Sequence, residues 1–200
     1  AVALGKAAWH AGMAYDDAMD TIAISTGATG DELAALGEDF SAVFTSIPID
    51  AETASGVISE LNRTLGVSGD TLVDIARPLA EASRMMGTDA TASAQGFAQA
   101  MNAWKVDAAD APATLDALFV ATQKSGVGFD ELLTNLSTFG PALQTMGFSL
   151  TESTALLAEL EKAGMPATNA MTALQFAAKT FTKDGVPLQE RARVTPEAAL

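Results

Sequence analysis

The residues able to do chemistry are few and lopsided in charge. The 200-residue chain has one histidine, no cysteine, 25 acidic and 11 basic residues. Without cysteine there is no thiol nucleophile, no Cys-type zinc or iron–sulfur site and no disulfide scaffold. His10 stands in an alanine-rich amphipathic stretch with no helper at ligand spacing, so it reads as a surface or packing residue. No Ser-His-Asp order can be assembled behind it, and no G-x-S-x-G elbow occurs. Gly126-Val-Gly128 does not extend into a dinucleotide fingerprint, follows no strand and has no GK[ST] nearby. Asp16, Asp17 and Asp20 are neighbours on one stretch, and Glu38-Asp39 and Asp130-Glu131 are adjacent pairs. A glycosidase needs two carboxylates facing each other across a cleft, and adjacent helical residues point about 100° apart. These groups read as solvated faces or first turns. Asp107-Ala-Ala-Asp110 reads as a helix start before Pro112, and no calcium loop occurs. The expectation is therefore no catalytic, cofactor-binding or metal-binding residue, no cofactor and no enzyme.

The elements that carry these residues read as helices. Alanine is about a fifth of the chain, which favours helix over sheet. Leu33, Leu36, Phe40, Val43 and Phe44 keep helical spacing, as do Leu72, Ile75, Ala76 and Leu79. The same rhythm links Ala94, Phe97, Ala98 and Met101, with Trp104 beyond. It returns in Phe129, Leu132, Leu133, Leu136 and Phe139, and in Ala170, Met171, Leu174 and Ala177, with Phe181 beyond. The methionines fit helix core better than an adaptable partner groove. Thr29-Gly-Asp-Glu32 and Ser149-Leu-Thr-Glu152 fit the capping box, and Asp50, Ser68, Thr88 and Asp110 suit N-caps. Pro112 and Pro166 suit first turns. Gly66, Gly87, Gly126, Gly147, Gly164 and Gly185 mark stops, while Pro78 and Pro141 predict kinks or breaks. The fold class is all-α: eight or nine helices joined by Gly/Pro turns, in an irregular bundle or helical-hairpin array. Residues 1–25 form an N-terminal helix that continues from a longer upstream region. Residues 26–183 form the helical domain, and 184–200 a loosely held polar end. The start at Ala1 and the PEAAL ending point to a piece of a longer protein.

TGATGDEL at Thr26, LGVSGDTL at Leu65 and SGVGFDEL at Ser125 form a weak repeat of uneven spacing. It reads as one helix stop and start used three times, more than as a helical-hairpin repeat. The net charge of −14 disfavours binding to naked nucleic acid. The 48% hydrophobic content excludes a disordered acidic tail, and no stretch is long enough to span a membrane.

The segment YDDAMDTIAISTGATGDELAAL, Tyr15 to Leu36, resembles the corresponding region of phage tail tape measure proteins, the phage-related minor tail protein family. So does MGFSLTESTALLAELEKAGMPATNAMTALQ, Met146 to Gln175, with its Gly-x-Ser-Leu-x-Glu start and Ala-Leu-Leu-Ala-x-Leu helix. LVDIARPLAEASRMMGTDATASAQGFAQAMNAW and SGVGFDELLTNLSTFGPALQTMG keep the same helix-and-glycine cadence between them. The likeness runs from Tyr15 to Lys179. It implies a structural segment that sets tail tube length and nucleates tube assembly in the lumen near the tip. The implied partners are the tail tube protein, tail tip or baseplate proteins and tail assembly chaperones. The implied state is a homo-oligomer, a trimer, in the virion tail, assembled in the host cytoplasm and leaving at genome ejection. No catalytic residues come with the resemblance. Two other readings stand beside it: a non-catalytic helical interaction module, and a tail-associated cell-wall hydrolase.

Overall fold

A computed structural model describes the backbone of residues 2–173 and the side chains of residues 12–173. The side chains of Trp9 and His10, and everything read from Leu174 to Leu200, lie outside the described residues. Within them the chain is all-α. The elements are α1 (Val2–Thr26), α2 (Gly30–Ser46), α3 (Ala51–Leu65), α4 (Gly69–Met86), α5 (Ala90–Trp104), a 3-10 turn (Ala108–Asp110), α6 (Ala111–Ser125), α7 (Phe129–Thr145) and α8 (Leu150–Lys162). Residues 167–173 are helical again. No strand occurs among the described residues. Two compact units divide the chain, Ala1–Phe119 and Val120–Leu200.

The helices are short because the chain keeps stopping them in one way. Gly27, Gly66, Gly87, Gly126, Gly147 and Gly164 all have left-handed φ, between 68° and 87°, and so does Lys105 at 54°. After each comes one linking residue and then the residue that opens the next helical segment. Two hydrogen-bond patterns close these joints. At Gly27, Gly66 and Gly126 the glycine N–H donates four residues back, to Ala23, Asn62 and Thr122. At Gly87, Lys105, Gly147 and Gly164 the following N–H donates five back, to Ser83, Met101, Leu143 and Leu160, as in a Schellman motif. The first set coincides with the weak sequence repeat. That repeat is a joint type, a helix stop and restart used three times.

In the first unit α3 is the central helix. It packs against α1, α2, α4 and α5. Ala54, Ser55, Val57, Ile58, Ser59 and Leu61 are all buried, an arc wider than a one-sided helix needs. Its neighbours supply Ile22, Leu36, Phe40, Leu72, Ile75, Leu79, Phe97 and Met101, all nearly inaccessible. Gly56 allows α3 to approach α5, since a Cβ there would collide with the side chain of Thr91. Tyr15 meets Phe40 edge-on at 5.8 Å, and Phe40 stacks on Phe44 at 5.3 Å. In the second unit α7 packs on α8, with Phe129, Leu132, Leu136, Leu143, Leu150 and Leu157 buried.

Several local expectations need correcting. Asp50 caps α3 by accepting from Thr53 N at 2.7 Å, and Ser149 with Glu152 forms the full capping box. Thr29 sits at its N-cap position but makes no cap bond, because its glycine neighbour is left-handed (φ 58°). Ser68 is the same case before Gly69 (φ 63°). Asp89, not Thr88, caps α5, and Asp107 caps the 3-10 turn that precedes α6. The Asp89 carboxylate, one position on from Thr88, accepts from the Ala92 N–H. Pro78 and Pro141 do not break α4 or α7, which run through them. Buried residues on both sides, Ile75 and Leu79 around Pro78 and Phe139 and Leu143 around Pro141, hold each helix against a cost of about 3 kcal/mol. Phe44 of the α2 stripe and Met85, Met86 and Met165 are exposed, whereas Met101 and Met171 are core.

Lys105 is the one non-glycine in left-handed backbone among the described residues. Lys105→Gly should raise stability by about 0.5 kcal/mol, since relief of about 1 kcal/mol of strain exceeds glycine's added unfolded-state freedom. Gly66→Ala should lower it by about 1–2 kcal/mol. Urea unfolding followed by circular dichroism reads both.

Candidate functional site

The acidic groups singled out from the sequence do not converge. Asp16, Asp17 and Asp20 are exposed along α1, and Asp107 and Asp110 are exposed around the 3-10 turn. Asp130 and Glu131 lie in the first turn of α7. No group of three or more His, Asp or Glu able to hold a metal occurs among the described residues. No helix among them is long and apolar enough to cross a membrane.

Two cavities, of about 440 and 420 Å³, flank the start of α3 and share Asp50 and Glu52. The first adds Arg84, Thr88 and Asp89, and the second adds Asp17, Thr21 and Ser55. Among the described residues neither lining holds a histidine, lysine or tyrosine. Asp50 is held below the usual carboxylate range by the Thr53 backbone N–H and then by the Thr53 hydroxyl. It stays ionised and serves as a helix cap, the opposite of what a general acid requires.

The most instructive carboxylate is Asp39. Reading it with Glu38 as a solvated pair is wrong for this member. Glu38 is exposed, but Asp39 is only 6% exposed, and its Oδ2 accepts from Gly69 N at 2.8 Å. A residue of α2 thus caps α4 across the fold, where Ser68 does not. The signal was in the sequence: Leu36, Asp39, Phe40 and Val43 occupy i, i+3, i+4 and i+7 of one stripe. In the second unit Glu161 acts alike, accepting from Ala167 N at 2.6 Å to start the next helix.

Burial pushes the Asp39 carboxyl above its ordinary 3.8; the Gly69 N–H pulls it down, and Glu38 and Asp70 push it further up. Folding therefore shifts Asp39 toward its protonated form relative to the unfolded chain. That contribution is present below the ordinary value and is lost as pH rises through the raised one.

Charge is unevenly placed. Residues 1–119 hold 17 of the 25 acidic but 5 of the 11 basic residues. The first unit is thus strongly anionic.

Likeness to known proteins adds what the geometry does not. A profile of the family described as phage-related minor tail protein matches residues 30–186. This chain belongs to that family. The match takes in α2 to α8 and both units. No curated protein and no solved structure matches the chain. As a phage-related minor tail protein it is a structural component of a phage or phage-derived tail, and other tail components are its associates.

Asp39→Asn keeps an oxygen for the Gly69 N–H while removing the buried charge. The variant should match the parent near pH 3 and equal or exceed it at pH 7. A gap that closes as pH rises, read by urea unfolding across that range, would contradict this assignment.

Proposed function

We propose that this chain is a folded segment of a tape measure protein. The observation that carries the reading is the family match across α2 to α8. In this reading the segment lies in the tail lumen near the tip, where it helps nucleate tube assembly and forms part of the ruler. Its partners are the tail tube protein, tip or baseplate proteins and tail assembly chaperones. It acts as a homo-oligomer, a trimer, without catalysis, and departs at genome ejection.

The joints refine how such a segment contributes to length. A single 200-residue helix would reach roughly 300 Å at 1.5 Å per residue. The helices here run from 13 to 25 residues, roughly 20–38 Å each. Left-handed residues end most of these rods, and an extended Ile47 ends α2. A folded segment therefore adds far less length per residue than a continuous helix. Its contribution fits placement at the tip better than the long middle of a ruler. The acidity of residues 1–119 suits a lumenal protein that must not grip passing DNA.

An in-frame deletion of α7 and α8 from the parent gene tests this. Electron microscopy should find tails lost or blocked at initiation, as expected for a tip-proximal segment. Tails shortened in proportion to the residues removed would make the segment a linear part of the ruler instead. Tails of normal number and length would sink the tape measure reading and leave a helical interaction module.

A further inference from the structure

The start of α4 is built unlike the other capped helix starts. At α3, α5 and α8 the N-cap side chain accepts from its own first turn: Asp50 from Thr53, Asp89 from Ala92 and Ser149 from Glu152. At α4 the residue in that position, Ser68, is exposed and makes no cap bond. The next residue, Gly69, is left-handed at φ 63°, which keeps Ser68 out of register with the helix. Its N–H goes to the buried carboxylate of Asp39, thirty residues earlier on α2. Helices α2 and α4 pack together, so this cap exists only while they do.

We infer that α4 carries two exchangeable caps and that Gly69 is the switch between them. While α2 is docked, Asp39 is the cap and Gly69 is left-handed. When α2 lifts away, Gly69 turns right-handed, joins the helix, and Ser68 accepts from the first turn in the ordinary N-cap manner. Glycine is the residue that populates both conformations at little cost, so any other residue here would favour one state. In the undocked state Ser68 then holds one first-turn N–H of α4 while the Gly69 N–H turns to water, and separation of α2 from α4 becomes easier than the loss of a buried hydrogen bond implies. Thr29-Gly30 at the start of α2 has the same idle hydroxyl and left-handed glycine (φ 58°). Among the described residues no carboxylate accepts from Gly30 N, so that start carries half of the device. The inference stands apart from the tape measure reading.

A double-mutant cycle on the 200-residue chain tests it, with the unfolding equilibrium constant as readout. Ser68→Ala alone should change that constant by less than about 2-fold, because Ser68 caps nothing in the docked state. In an Asp39→Ala background the same change should cost about 5-fold, the loss of an N-cap serine. In an Asp39→Asn background, where the acceptor survives, it should again be silent. Equal effects of Ser68→Ala in the parent and in Asp39→Ala, whether silent or costly, overturn the inference. Gly69→Ala supplies a second readout that needs no cap bond. It should cost less in Asp39→Ala than in the parent, and an equal cost also overturns the inference.

Discussion

The left-handed residue between helices is the constraint from which the rest follows. A helix cannot pass a residue with φ near 70°, so each one forces a stop. With one linking residue and then a new start, the next helix begins within a few ångströms of the last. Apolar stripes must then be covered by near neighbours in sequence. Hence the contacts run α1 to α3, α2 to α4 and α3 to α5, along the chain. Glycine occupies most of these positions because it alone takes this backbone without steric cost. The α2–α3 link departs from the rule. Ile47 is extended and buried, and Asp50 caps the new helix.

Polar bonds across the fold fix how those helices meet. Asp39 ties α2 to the start of α4, and Glu161 ties the end of α8 to the segment after it. Asn102 donates to the Thr64 carbonyl, joining α5 to the end of α3 at 2.9 Å. Each of these satisfies a backbone group that a helix end leaves open. Ion pairing adds little. Arg63–Glu60 and Lys162–Glu159 are three residues apart within single helices and solvent-facing on the basic side.

Much of this was legible beforehand. Stripes such as Leu72, Ile75, Ala76 and Leu79 located helices because burial imposes the 3.6-residue period, and all four are buried. The glycine stops were legible because positive φ selects for glycine. Lys105 was not, because composition carries no mark when a lysine bears the strain. The Thr29 and Ser68 caps failed because a left-handed glycine after the hydroxyl changes where it points. Asp39 was misread by its neighbour Glu38 rather than by its place on the stripe. Pro78 and Pro141 do not end their helices, because tertiary burial outweighs a local penalty that a sequence window counts in full. As for the site, the sequence showed no catalytic constellation, and the cavities at the start of α3 turn out to be lined by capping carboxylates.

The functional account rests on a structural tail protein whose work is done by helices and joints. Protein mass spectrometry of purified tail particles meets that claim most directly. The account predicts peptides from residues 30–173 in the particles at a few copies per tail, chemically cross-linked to tube or tip subunits. Tails that contain no such peptides, with the protein found only outside assembled particles, would contradict it.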